Sequence, residues 1–273
     1  MMTGQTFRER YGSWAVVAGA SEGLGAAFAR SIAAQGVNLI LLARRADALQ
    51  ATADTLRTAY NVQVQTVPLD LASPDVQAEF ERCIAGREIG LLVYNAAYSK
   101  IGSYEQMSVE DKLRHIAVNC ESPVILSSML VPQMVERKRG GLIFMASVVG
   151  MSGTELLSMY AATKAFNINL ASSLWQELQP QGVDVLAVIA GAVATSNYEK
   201  TQPAAVRFAP APQDPQKLAE NALNHLGKGS PLWTSSPQVS FVSLLLNRLL
   251  TRAAAVRFMS NATRQTYAHF KDT

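Results

Sequence analysis

The feature that most constrains the fold of this chain is a regular alternation of short apolar runs with segments of helical character. The clearest runs are Trp14–Ala18, 37–42, 90–94 and 142–146, and none of them carries a charge. Such short runs suit strands that are buried on both faces. Strands that alternate with helices predict an α/β fold: a doubly wound parallel sheet in three α/β/α layers, with about seven strands.

Composition supports a large core and argues against several classes of protein. Of the 273 residues, 49% are hydrophobic and 16% are charged, and no repeat or linker is visible, so we predict one domain over 1–273. A net charge of +3 without a dense basic run argues against a nucleic-acid partner. The N-terminus lacks the apolar core of a secretory signal, and no uncharged apolar run is long enough to span a membrane. We therefore expect a cytoplasmic protein.

Cysteine and histidine residues are few and scattered. Cys83 and Cys120 form no disulfide framework, which suits a reducing cytosol. His115, His225 and His269 share no ligand spacing, so solvated or hydrogen-bonded histidines are the expected reading. No metal site is predicted.

A glycine-rich turn follows the first predicted strand. Gly19, Gly23 and Gly25 surround Ser21 and Leu24, and a helix is expected to follow to about residue 35. Glycines let the backbone turn tightly and approach a diphosphate, while the amides at the start of the helix face that anion. A glycine pattern alone is weak, but its place between a strand and a helix predicts a dinucleotide site.

The end of the second predicted strand indicates which dinucleotide is bound. An acidic residue at this place usually holds a free ribose 2′-hydroxyl, whereas a 2′-phosphate needs arginine. The chain has Arg44 and Arg45 there, and no acid. We therefore predict NADP(H) as the preferred cofactor and NAD(H) as the second choice. The alternative is that both arginines only solvate a loop.

Three side chains near the middle of the chain are suited to proton transfer. Tyr160 and Lys164 lie four residues apart on one helix face, and Ser147 follows a buried strand. A nearby ammonium favours the phenolate, so it lowers the pKa of a tyrosine from about 10. A serine hydroxyl beside the phenol can hold a carbonyl oxygen while the phenol gives or takes a proton. The spacing alone is weak, because Tyr267 and Lys271 repeat it near the C-terminus.

Two segments after the sixth predicted strand are expected to cover the body of the protein. Residues 192–212 carry three prolines and lack clean periodicity, which predicts a loop or a short helical lid over the substrate. Residues 239–260 are rich in leucine and contain three arginines, which predicts an amphipathic helix. Its favoured role is packing on the body or on a second subunit. Contact with a membrane surface is the less favoured and sharper alternative.

Taken together, these motifs resemble the short-chain dehydrogenase/reductase family over about residues 14–195. The glycine turn matches 18–25, and the family's catalytic tetrad falls on Asn119, Ser147, Tyr160 and Lys164. The resemblance implies a Rossmann fold and the following cofactor contacts: Gly19, Ser21, Gly23, Leu24, Gly25, Arg44, Arg45, Asp70, Leu71, Asn95, Ala96, Tyr160, Lys164, Val193 and Thr195. Four tetrad positions that match in order make the resemblance specific.

The resemblance also implies a role for each member of the tetrad. Tyr160 would be the general acid in reduction and the base in oxidation, and Ser147 would polarise the substrate oxygen. Lys164 would lower the Tyr160 pKa and hold the nicotinamide ribose. Asn119 would keep a helix distortion and a water that relays protons.

Five positions depart from the family pattern without removing a reacting group. The family usually has Thr, Asn, Gly and Pro at the positions of Ala18, Tyr94, Ala97 and Ala190, and NADP-preferring relatives often have a basic residue at Glu22. These departures bear on the shape of the cofactor loops.

The resulting expectation is an NADPH-dependent oxidoreductase that interconverts a carbonyl and an alcohol on a medium-sized apolar substrate. The substrate class rests on the scarcity of charge near Met151, Leu156, Leu157 and Met159 and on Val206 and Phe208 in the lid. An NAD-dependent alcohol or hydroxysteroid dehydrogenase is the first alternative. A nucleotide-binding sensor or scaffold without catalysis is the alternative of another class. The resemblance also implies a homodimer or homotetramer.

Overall fold

The computed structural model describes residues 6–204 and 211–270. In this part of the chain, seven parallel strands form one sheet. They are β1 (Trp14–Ala18), β2 (Asn38–Ala43), β3 (Val64–Pro68), β4 (Ile89–Tyr94), β5 (Gly140–Ser147), β6 (Val183–Ala190) and β7 (Leu232–Thr234). Their order is β3-β2-β1-β4-β5-β6-β7, and every neighbouring pair is parallel. The predicted doubly wound sheet is confirmed.

Helices cover both faces of the sheet. They are α1 (Phe7–Tyr11), α2 (Gly23–Ala33), α3 (Ala46–Tyr60), α4 (Val76–Ile84), α5 (Val109–Ile116), α6 (Ser122–Glu136), α7 (Ser158–Leu178), α8 (Ser196–Lys200), α9 (Pro215–His225), α10 (Pro237–Leu244) and α11 (Arg252–Thr266). Side chains from α2, α3 and α9 join the core on one face, and side chains from α4, α6 and α7 join the core on the other. This is the three-layer Rossmann fold.

Burial of the sheet on both faces explains why its strands are apolar without interruption. Along β1, Ala15 and Val17 point into one core, while Val16 and Ala18 point into the other. All four are 0% exposed. Successive side chains of a strand alternate between faces, so a polar residue at any of these positions would be buried.

The strand order reverses beside β1, which lies between β2 and β4. Connections from β1 and β4 leave towards opposite faces, so a crevice opens at the carboxyl ends of these two strands. Ligands of open α/β sheets bind at such a switch point. The chain places its glycine turn directly after β1 and Asn95 directly after β4.

The C-terminal segment differs from its prediction. One amphipathic helix over 239–260 was expected, and this is wrong: α10 continues as a π-helical turn at Leu245–Leu249 and then stops. Leu250 is extended, with φ −103° and ψ 146°, and the Thr251 hydroxyl accepts a hydrogen bond from the Ala254 amide to start α11. A threonine that caps a new helix competes with continuation of the old one, which explains the break.

The predicted lid falls partly within the described residues. Residues 192–204 contain the short helix α8, which Thr195 caps by accepting a hydrogen bond from the Tyr198 amide. Val206, Phe208 and Pro210 lie outside the described residues. Across 6–204 and 211–270, no helix combines the length and the apolar character that crossing a membrane requires.

Candidate active site

A pocket at the carboxyl ends of the strands gathers most of the predicted cofactor residues. It is lined by Gly19, Ser21, Gly23, Leu24, Arg44, Arg45, Asp70, Leu71, Asn95, Ala96, Tyr160, Val193 and Thr195. Gly25 and Lys164 do not line it, because both are buried behind its wall. Eight further residues line the pocket that are not among the predicted cofactor contacts: the apolar Ala43, Leu69, Ala97 and Val118, and the polar or charged Glu22, Tyr98, Arg114 and Asn197.

The glycine turn leaves no space for side chains. Gly19 has φ +80°, and a Cβ on it would lie 2.8 Å from the Ala96 Cα. A Cβ on Gly25 would lie 1.9 Å from the carbonyl oxygen of Gly19, which also accepts a hydrogen bond from Asn95 Nδ2 at 3.1 Å. The start of α2 has no side-chain cap, so its first amides remain available to an anion. This cradle fits the diphosphate of a dinucleotide.

The arginine end of the pocket is more acidic than the sequence pattern suggested. Arg45 forms an ion pair with Glu22, with a nitrogen–oxygen distance of 2.6 Å, and the Ser196 hydroxyl donates to the same carboxylate at 2.6 Å. The Ser196 hydroxyl and Arg45 hold the Glu22 pKa below its ordinary value. Arg44 has no ion-pair partner among the described residues. Arg44 is therefore the better placed of the two arginines for a phosphate.

Asp70 is held by a residue that sequence spacing did not reveal. Arg114 contacts its carboxylate at 2.6 Å, and the Ala72 amide donates to it at 3.0 Å. Burial raises the Asp70 pKa, but these two donors outweigh burial, so the pKa lies below its ordinary value. Arg114 comes from α5, 44 positions away, so only the fold brings the pair together.

The proposed proton-transfer residues lie beside the pocket. Ser147 ends β5, and Tyr160 lies in the first turn of α7. Lys164 follows one turn later, is 2% exposed, and donates from Nζ to the Met145 carbonyl at 2.7 Å. Its Nζ is 5.4 Å from the centroid of the Tyr160 ring. The serine, the phenol and the ammonium are thus grouped at the carboxyl end of β5.

The electrostatics of this group differ from the expectation of a lowered tyrosine pKa. Burial, with a smaller contribution from Tyr267, raises the Tyr160 pKa to about 12, and the Ser147 hydroxyl only partly opposes this rise. Burial lowers the Lys164 pKa to about 8. The Lys164 ammonium donates its hydrogen bond to the Met145 carbonyl rather than to the phenol oxygen. In the protein alone, Tyr160 is therefore a protonated phenol suited to donate a proton.

Asn119 lies where the helix between α5 and α6 is distorted. The segment Ala117–Glu121 is a π-helical turn, and the Tyr94 hydroxyl donates to the Val118 carbonyl within it. Asn119 accepts from the Tyr98 amide at 2.7 Å and donates to the Tyr98 carbonyl at 2.8 Å and to Thr163 Oγ1 at 2.9 Å. The side chain thereby ties the segment after β4 to α7. Tyr94, a departure from the family pattern, serves as a brace for this turn.

Tyr267 approaches the site from the C-terminal segment, which the sequence did not indicate. The Thr266 carbonyl accepts from the Ala204 amide at 2.9 Å, and His269 Nε2 lies 3.1 Å from the Thr201 carbonyl. These contacts hold Tyr267 against the lid region, where burial raises its pKa. Tyr267 and Lys271 have the same spacing in the sequence as Tyr160 and Lys164, and Lys271 lies outside the described residues.

Known proteins are similar to this chain in sequence and in fold. A very-long-chain 3-oxoacyl-CoA reductase of Aspergillus fumigatus is 34% identical over 83% of this chain, which spans 66% of that relative's length. A 7beta-hydroxysteroid dehydrogenase of Clostridium sardiniense is 28% identical over 81% of this chain and 85% of its own. A solved short-chain dehydrogenase from Sphingobium yanoikuyae in complex with NADPH is 30% identical, with a TM-score of 0.76 over 83% of this chain and 89% of its own.

The family model that matches this chain is that of the short chain dehydrogenases, and the match covers residues 13–205. It includes β1 with the glycine turn, all four tetrad positions and α8. The chain belongs to the short-chain dehydrogenase/reductase family, whose members are oxidoreductases that act on CH–OH and C=O groups.

Proposed function

We propose that the protein is an NADPH-dependent carbonyl reductase for a medium-sized apolar substrate. The observation that carries this proposal is that Tyr160 lines the same pocket as the glycine turn and Arg44. A proton donor and a dinucleotide cradle thus face one space. The Gly19 and Gly25 backbone and the uncapped start of α2 fit the diphosphate, and Arg44 fits a 2′-phosphate.

The chain's own residues divide the work of reduction. The nicotinamide cofactor supplies the hydride when bound. The Ser147 hydroxyl holds the substrate carbonyl oxygen, and the Tyr160 phenol donates its proton to that oxygen as charge develops. Lys164 holds positive charge behind the phenol, and Asn119 fixes the segment after β4 against α7. In oxidation, Tyr160 takes the proton instead.

An NAD-dependent dehydrogenase is the second candidate. The reason is that Arg45 is already paired with the Glu22 carboxylate and is therefore less available to a 2′-phosphate. We expect NADPH to bind at least tenfold more tightly than NADH, a difference of about 1.4 kcal/mol, and Arg44→Ala to remove that margin. Glu22→Gln, which frees Arg45, is the matched variant and should tighten NADPH binding without changing NADH binding. Titration of nicotinamide fluorescence with each nucleotide measures both effects.

Two outcomes of that titration, and one outcome of a carbonyl screen, would contradict the proposal. Equal binding of the two nucleotides, or tighter binding of NADH, favours the NAD-dependent dehydrogenase. Binding of NADPH that Arg44→Ala leaves unchanged rules out the 2′-phosphate contact. Binding without turnover of any carbonyl in a screen favours the nucleotide sensor or scaffold.

The apolar substrate class is supported by the wall beyond Ser147. Leu156 and Leu157 are buried, and Val148, Val149 and Met151 pack against the C-terminal helices. Two of the relatives named above are a very-long-chain 3-oxoacyl-CoA reductase and a 7beta-hydroxysteroid dehydrogenase, and both a very long acyl chain and a steroid nucleus are apolar. Residues 192–204, the described part of the predicted lid before the gap, and Tyr267 would enclose such a substrate. A screen of ketoacyl thioesters and ketosteroids with NADPH tests this class.

The rate of carbonyl reduction should fall as pH rises through about 8. Burial lowers the Lys164 pKa from 10.5 to about 8, so the charged form is present below that pH and is lost above it. The Tyr160 pKa of about 12 keeps the phenol protonated throughout. We expect kcat/KM to be level at lower pH and to decline above about 8. Lys164→Arg stays charged, so its kcat/KM should not decline above about pH 8. A decline that persists in this variant would mean that another group titrates.

Assembly and location are the last parts of the proposal. Exposed apolar residues on α5, α6 and α7 suit the family's contact between subunits: Val109, Leu113, Ile116, Val124 and Phe166. A homodimer or homotetramer built on these helices is proposed, and Leu113→Glu should weaken it. A cytoplasmic location stays a prediction.

A further inference from the structure

The charge of the chain is unevenly distributed. Every acidic residue except Asp272 lies before Asn221, although the chain contains 21 of them. The segment 221–270 carries Lys228, Arg248, Arg252, Arg257 and Arg264 and no aspartate or glutamate. The segment is therefore strongly basic within a chain whose net charge is only +3.

The two helices of this segment present large apolar side chains to the outside. Phe241 is 63% exposed, Leu244 52%, Leu249 66% and Phe258 45%. Phe241, Leu244 and Arg248 are spaced along one face of α10 and its π-helical continuation. Arg257 precedes Phe258 on α11 and is also exposed. We call the outward side of these six residues, Phe241, Leu244, Arg248, Leu249, Arg257 and Phe258, the C-terminal surface.

The inward side of the same helices is firmly packed, so these side chains have no alternative place in the core. Leu246, Ala255 and Met259 form a cluster with Val148 and Met151. The Thr154 and Thr263 hydroxyls are 2.7 Å apart, and the Ser260 hydroxyl accepts from the Glu155 amide at 3.1 Å. These contacts fix the two helices on the body of the protein, so the exposed phenylalanines and leucines are held on the outer side.

Charge decides what kind of partner suits the C-terminal surface. A second copy related by a twofold axis would bring the same arginines into the interface a second time, with no carboxylate in the segment 221–270 to compensate their charge. Arg248 and Arg257 have no ion-pair partner among the described residues. An anionic bilayer suits both the basic and the apolar residues of this surface. Its headgroups attract arginine, and its acyl boundary accepts phenylalanine and leucine.

We propose that the C-terminal surface docks the protein on an anionic lipid membrane. The inner side of these helices covers the segment between Ser147 and Tyr160, so docking would bring the substrate side of the pocket near the bilayer. Such docking needs no membrane-spanning helix and does not depend on catalysis. Membrane contact, rather than packing on a second subunit, is then the role of the outward side of this segment.

Vesicle flotation of the full-length protein tests the proposal. Vesicles of phosphatidylcholine alone are compared with vesicles that also contain phosphatidylserine, at low and high salt. We expect flotation only with phosphatidylserine, weakened by salt. Arg248→Gln with Arg257→Gln should weaken binding about 25-fold, since each basic residue near an anionic surface contributes about 1 kcal/mol, or about fivefold. Phe241→Ser with Leu249→Ser should weaken it at least about tenfold.

Tyr104→Ser is the matched control, because Tyr104 is an exposed aromatic of 59% exposure beside Glu105. It should leave flotation unchanged. The proposal is overturned if the wild-type protein stays with the unbound fraction on phosphatidylserine vesicles, or if Phe241→Ser with Leu249→Ser floats as well as the wild type. It is also overturned if that double variant converts a larger assembly into monomers on size exclusion, since the surface would then bind a second copy.

Discussion

Tyr160→Phe is expected to lower kcat for carbonyl reduction by about 10³-fold, because a positioned general acid contributes roughly 10² to 10⁴. The substitution removes one hydroxyl and leaves the ring in place. NADPH binding should stay within about threefold of wild type, since the cradle around Gly19 and Gly25 is untouched. Steady-state reduction of a carbonyl found in the screen, together with nucleotide titration, separates the two effects.

Tyr267→Phe is the matched control, because it removes a second, partly buried phenol from the same neighbourhood. Tyr267 contributes to the raised Tyr160 pKa, but it follows α11 rather than lying in the strand-end group. A change of kcat of less than about tenfold is expected for this variant. If Tyr267→Phe reduced kcat as much as Tyr160→Phe, the assignment of the proton donor would have to be revised.

Gly25→Ala is expected to abolish nucleotide binding and to destabilise the fold. The new Cβ would lie 1.9 Å from the Gly19 carbonyl oxygen and 2.8 Å from Asn95 Nδ2, so backbone must move. Overpacking of this kind typically costs about 1–3 kcal/mol and at times more. We expect a lower melting temperature and at least about a hundredfold loss of NADPH affinity, which is about 2.7 kcal/mol. Thermal unfolding measures the melting temperature, and fluorescence titration measures the NADPH affinity.

Gly36→Ala separates steric conflict from the loss of glycine itself. Gly36 has φ +72°, but a Cβ on it would meet nothing within 4 Å. Only the conformational penalty of about 1 kcal/mol applies, so stability should fall slightly while NADPH affinity is retained. Unchanged nucleotide binding by Gly25→Ala would show that the turn relaxes easily and would remove it as the cofactor cradle.

The apolar strands are the part of this protein that local sequence determines. A run such as Trp14–Ala18 has apolar side chains on both faces of a strand, so helices must cover the strand on both sides. The glycine turn after β1 and Ser147 at the end of β5 lie at the same edge of the sheet, because parallel strands bring their carboxyl ends to one edge. The doubly wound fold, and the position of most of the predicted strand-end residues around one pocket, were therefore predictable.

Pairings between distant charges were not predictable from the sequence. Arg45 is held by Glu22 and Asp70 by Arg114, and the energy of each pair depends on a distance that only the folded chain sets. The same reason explains the Tyr160 pKa. Burial around the phenol raises its pKa and outweighs the Ser147 hydroxyl, and burial is a property of the whole fold rather than of a four-residue spacing.

The sequence by itself thus determined the parallel sheet, the order of strands and helices along the chain, and the residues at the strand ends. The reason is that hydrophobic periodicity and glycine turns act locally. Tertiary structure alone decided how the C-terminal segment divides at Leu250, which of its faces stays outside, and where Tyr267 lies. Periodicity shows that a helix has an apolar side, but the body of the protein decides which apolar residues it covers and which it leaves exposed.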